Sequence, residues 1–225
     1  MKKLALGGLL ALAGCLGASA QYYQIANQLT DMVTTGLSAG LNYKGFVEAG
    51  FLGGVGNQRA DVLSFSTTQG VTYSSWFFMG VGLGADVLFA HSDYQFSGRP
   101  DYPWDGYDDS RGRTKTGVVI PLFTDFRFNL GNPQSMSCFI DLKVGCSFLV
   151  GSNYLQVGDG VLTSSENFYL RPGLGLRFPL SPNGRQALSV AVNYQLMTSN
   201  YWSWYGRASN SATLSAVGAT LSYEW

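Results

Sequence analysis

The 225-residue sequence predicts an all-β fold: an eight-stranded antiparallel up-and-down transmembrane β-barrel with a short N-terminal helix. Three observations carry that expectation. From Ser215 onward the odd positions are Ser215, Val217, Ala219, Leu221, Tyr223 and Trp225, and the even ones are Ala216, Gly218, Thr220, Ser222 and Glu224. This is the period-two alternation of a strand with one apolar face. In a soluble sheet such a face at an open edge invites aggregation, whereas lipid accepts it and ring closure removes the edge. Second, charged residues within the predicted strands keep to one parity. Third, the connections alternate between short and long, as in a membrane barrel with short turns at one rim and long loops at the other.

Composition narrows the field. Charged residues make up 12% of the chain, against roughly 25% in soluble domains. No apolar run reaches the ~20 residues of a membrane-spanning helix, which excludes a helical membrane protein. The formal charge is zero, and losing Lys2 and Lys3 with a leader leaves 12 basic against 14 acidic residues. No basic face suggests nucleic acid.

Met1 to Ala20 has a basic start, an apolar stretch from Leu4 to Ala13, and Ala18-Ser19-Ala20 before Gln21. It reads as a cleaved secretory signal, with the mature chain of about 205 residues starting at Gln21. Leu12-Ala13-Gly14-Cys15 resembles a lipobox. Its use would leave a lipidated Cys15 behind a 14-residue signal, slightly below the usual ~15–30 residues, so cleavage after Ala20 is the preferred of two readings. Residues 21–42 form the N-terminal segment. Ile25, Leu29, Met32, Val33 and Leu37 fall at spacings of an amphipathic helix, lying either at the barrel mouth or as a plug inside the lumen.

The barrel spans 43–225, with strands expected at 43–56, 60–73, 76–89, 116–130, 137–149, 167–180, 186–197 and the closing stretch. Turns at 73–75, 131–136 and 181–185 oppose long loops at 91–115, 150–166 and 198–210. The first loop, Asn57 to Arg59, is the exception and reads as a tight hairpin.

Parity places the charges. Lys44 and Glu48, Asp86, Asp125 and Arg127, Asp141 and Lys143, Arg171 and Arg177, and Glu224 alternate with outward apolar runs such as Val118, Ile120, Leu122, Phe126 and Phe128. A basic residue at the bilayer midplane costs ~2–4 kcal/mol, so the charged parity must face the lumen. These ten residues are the expected lumen charge network, five of each sign. Trp76, Phe78, Phe123, Phe139 and Tyr169 are expected to fill the space between them. The glycines at 80, 82, 84, 173 and 175 are the weak point, since they could leave a water-filled slot.

Other constellations carry less. Gly80-Val81-Gly82-Leu83-Gly84 lacks the strand-to-helix break of a phosphate loop. Cys138 and Cys146 lie on one strand ~26 Å apart, beyond the ~7 Å Cα limit of a disulfide, and no Cys/His spacing suggests zinc. No cofactor and no catalytic or metal site is expected. His91 is the only histidine. It precedes Ser92 and Asp93, but neighbours on an extended chain point to opposite sides and cannot form a triad among themselves. The Asp101–Asp109 stretch lacks the ordered ligands of a calcium loop. Tyr102, Trp104, Tyr107, Tyr201, Trp202, Trp204 and Tyr205 are the candidate outer-loop binding residues. Such side chains suit an extracellular glycan or protein, and they equally populate an interfacial belt.

The stretches Gly45 to Phe51, Phe65 to Gly70, Ile120 to Arg127, Phe139 to Gly145 and the terminal Tyr-Glu-Trp resemble the small bacterial outer-membrane β-barrel domain family, whose eight-stranded members include OmpA- and OmpX-like barrels. The resemblance implies residence in the outer membrane, both termini periplasmic, contact with outer-membrane lipid, and delivery by the barrel assembly machinery, with Tyr223 and Trp225 as assembly signal. No appended wall-binding domain is expected. Three function classes follow. A structural or surface-interaction barrel, not an enzyme, comes first; a narrow porin-like conduit is second; a lipid-modifying enzyme using His91 is third. A filled lumen favours the first, a continuous aqueous path the second, and a hydrogen-bonding partner for His91 the third.

Overall fold

A computed structural model describes residues 42–73, 75–91, 116–152, 154–157, 160–164, 166–199 and 212–225. The leader, the N-terminal segment with its expected helix, and the aromatic residues of the loops at 92–115 and 200–211 lie outside the described residues.

Eight strands close the barrel: β1 (Asn42–Val55), β2 (Ala60–Tyr73), β3 (Phe77–Ala90), β4 (Thr116–Leu130), β5 (Ser137–Val150), β8 (Asn167–Pro179), β9 (Ala187–Thr198) and β10 (Thr213–Glu224). Two short strands, β6 (Tyr154–Val157) and β7 (Gly160–Thr163), pair as a separate hairpin in the loop between β5 and β8. The sequence reads that stretch, 150–166, only as a long loop. Each barrel strand pairs antiparallel with its sequence neighbour, and β10 returns to β1, so no edge is left open.

Every strand alternates as its sequence dictates. Branched and aromatic residues such as Leu83, Ile140, Leu174, Val192 and Leu221 point outward and are exposed. The opposite parity is buried, which is what a closed barrel does with the second face of each strand. The tight β1–β2 connection turns through Gly56 at φ 85°, a left-handed conformation that costs glycine nothing.

Trp76 departs from the expected inward set. β3 begins at Phe77, so Trp76 still belongs to the turn and strand parity does not govern it. Its indole is half exposed and packs outside, with its centroid 5.5 Å from that of Phe77 and 6.1 Å from that of Phe128.

Candidate functional site

The lumen is filled in three tiers. The first lies at the short-turn end. Glu224, on the last turn of alternation in β10, receives Lys44 Nζ at 2.6 Å and Arg177 Nε at 3.1 Å. Arg177 also donates from Nη1 to Pro133 O and from Nη2 to Gly184 O, both at 2.7 Å. One guanidinium therefore ties the turns at 131–136 and 180–186 to the end of β10. Its planar fork of five donors suits that task.

The middle tier is ionic. Glu48 takes Arg127 Nη2 at 2.9 Å on one oxygen and Lys143 Nζ at 3.0 Å on the other. Arg127 reaches Asp141 at 3.5 Å, Lys143 bonds Asp141, and Lys143 lies 3.8 Å from Asp125. The Arg127 guanidinium is held between the rings of Phe46 and Phe139, 4.1 and 4.4 Å from their centroids, an attractive stacking that also shields the charge. Slightly further along, Arg171 Nη1 donates to Ser64 Oγ at 2.8 Å, and Gln195 Nε2 donates to Asp86 at 3.0 Å. Each of these charges is buried. Burying a charge is costly unless it is paired and hydrogen-bonded, and here the pairing is uneven: both carboxylate oxygens of Asp125 and Oδ1 of Asp86 have no hydrogen-bond partner among the described residues.

The third tier, toward the long-loop end, is apolar. Leu52, Val62, Leu88, Val119, Phe123, Leu149, Met197 and Leu214 form one cluster with Leu155, Val157 and Leu162 of the β6–β7 hairpin. The hairpin thus caps the barrel's own apolar interior. Asn167 pins it, donating to Ser147 O on β5 at 3.3 Å and to Thr163 O on β7 at 3.2 Å.

The glycines leave no slot at the positions in question. A Cβ at Gly80 would strike the Phe78 ring; at Gly82 it would strike Phe123, at Gly173 Asn193, and at Gly175 Phe139. At Gly84 it would crowd Pro121 and Ser66. The missing side chains are the seats of larger neighbours.

Two features lie on the outer wall. Tyr223 and Trp225 both face outward, their rings stacked at 6.1 Å. At the long-loop rim, His91 Nε2 stands 2.9 Å from Asp61 Oδ2, while Asp61 Oδ1 accepts the Gly54 amide at 2.9 Å. Nothing in the sequence had suggested a partner for His91. The register supplies it: Asp61 faces Phe89 across β2 and β3, and His91 N–H bonds Arg59 O just beyond. Among the described residues, no hydroxyl or thiol meets the His91 ring.

A fully closed antiparallel barrel of eight strands, with charge inside and an apolar wall outside, defines the class: this chain has the fold of the small eight-stranded outer-membrane β-barrels. It is similar to Neisserial surface protein A, at a TM-score of 0.52 and 8% identity, over 81% of this chain and 97% of that one. Weaker likenesses are the outer membrane enzyme PagL, at 0.45 and 18% over 80% and 97%, and Ail, the attachment invasion locus protein of Yersinia pestis, at 0.37 and 8% over 81% and 98%. No family model and no curated protein sequence matches the chain. At these identities the likeness is one of fold.

Proposed function

We propose that the chain is an integral outer-membrane barrel whose lumen is a solid core rather than a passage, and whose role is structural or surface-interacting through its long loops. The short-turn end faces the periplasm, which places Asn42 and Trp225 there, and the Tyr223–Trp225 pair serves the assembly machinery as a signal. The supporting observation is the filling of the interior at all three tiers, with Lys44, Arg127, Lys143 and Arg177 paired to carboxylates and with apolar side chains capped by β6–β7. An eight-stranded barrel is wide enough only for its own side chains. Planar-bilayer recording on the purified protein tests this. Silence is expected, and a large, long-lived unit conductance would sink the reading and promote the porin alternative.

The His91–Asp61 pair favours a second reading, a lipid-modifying enzyme. A carboxylate anchored by a backbone amide and bonded to a histidine is the orienting half of a general-base arrangement. It sits on the outward wall at the long-loop rim. It ranks second because a nucleophile must still meet the ring. Lipid A from cells carrying the native protein or His91→Ala decides between them. The acyl pattern is expected to be the same in both, and a pattern that changes with His91 would reverse the order.

A further inference from the structure

We propose that residues 44–45 of β1 and 224–225 at the end of β10 form a two-faced clasp that holds the barrel's closing seam shut. Alternation alone does not choose where β10 stops against β1, because a slip of two residues returns every side chain to its proper face. Something at the seam must distinguish those registers.

On the outer face the distinguishing element is Gly45. Its parity points outward, where its neighbours Tyr43 and Val47 are exposed, yet Gly45 is buried. The Trp225 indole lies against its bare Cα: a Cβ there would stand 2.6 Å from Cζ2 and 2.7 Å from Cε2. The far wall of this seat is Gln69, whose Oε1 would be 2.8 Å away. Gln69 is itself fixed, accepting from the Tyr43 hydroxyl and donating to Thr67 Oγ1 at 3.1 Å. Gly45 and Trp225 also exchange both backbone hydrogen bonds, each at 3.1 Å.

On the inner face, the preceding residue of each strand completes the grip, Lys44 Nζ meeting Glu224 at 2.6 Å. Four residues above, Thr220 lies over Gly50, where a Cβ would collide with it. A slip of two in one direction brings Trp225 against Val47, Glu224 against Glu48 and Thr220 against Leu52. In the other direction, Trp225 meets Tyr43 and Thr220 meets Glu48. Either way a seated side chain lands on one that already fills the space.

Unfolding kinetics of the full chain, refolded into lipid vesicles, test the clasp with Gly45→Ala, Trp225→Leu and the double variant. Gly53→Ala, on the same wall of β1 with nothing nearer than 3.9 Å, is the control. Gly45→Ala is expected to speed unfolding roughly tenfold through overpacking. With Trp225→Leu already present its effect should shrink to what the Gln69 contact alone leaves, the non-additivity of two residues in contact. If Gly45→Ala costs as much without the indole, or no more than Gly53→Ala, the clasp is refuted. Should Gly45→Ala fail to fold, the double variant must recover folding, and failure of both refutes it equally.

Discussion

The two halves of the lumen are closed by opposite chemistry. At the short-turn half, Lys44, Glu48, Arg127, Asp141, Lys143, Arg177 and Glu224 share a few strong, directional contacts. At the loop half, Leu52, Val62, Leu88 and their neighbours share many weak ones, completed by a hairpin from outside the barrel. The ionic half concentrates its dependence in a few residues, above all Glu48 and Glu224, each of which holds two cations at once. The apolar half spreads that dependence, since packing lost at one position is only the contact of that position.

Removing Glu48 should produce the largest effect, because Arg127 and Lys143 each lose a carboxylate inside a closed space and are left sharing Asp141. Glu48→Ala is expected to cost ~3–5 kcal/mol, read from urea unfolding in detergent. A loss no greater than that of an apolar truncation would erase the contrast between the halves. In the apolar half, Leu88→Ala and Leu162→Ala should fall within the ~2–5 kcal/mol of leucine truncations. Leu88, on a barrel strand, belongs near the middle of that range, and Leu162, on a hairpin that can settle into the gap, near the bottom. Equal costs would show that the cap is as rigid as the wall. The smallest effect belongs to neither half. His91→Ala removes an exposed pair on the outer wall, and its cost should stay within ~1 kcal/mol. Any larger loss of thermal stability would mean that Asp61 needs His91 to hold β1, β2 and β3 together at that rim.

Much of this was legible in the residues themselves. Lipid penalises charge so steeply that parity alone places Asp86, Asp125 and Arg171 inside, and Pro133 and Gly184 mark turns without help from the fold. Other features depend on what lies opposite. Trp76 followed strand parity on paper, but β3 starts one residue later. The Asp61 partner of His91 is a product of β2–β3 register, which no local pattern encodes. A four-residue strand such as β6 is too short to show alternation above its loop. The burial of Gly45 was the least visible of all, because a glycine says nothing about the ring that will cover it.

Arg177 has a consequence for cooperativity. Its partners Pro133 and Glu224 come from other hairpin units, 44 and 47 residues away in the chain, and Gly184 from the turn that follows its own strand. While either of the other units is undocked the guanidinium gains little, since water serves it as well; once both arrive, their contacts form together. The entropy of closing those separate loops is therefore offset at a single step. Amide protons in the 131–136 turn, the 180–186 turn and the end of β10 should then exchange with solvent as one unit. In Arg177→Met they should separate into independent fraying events.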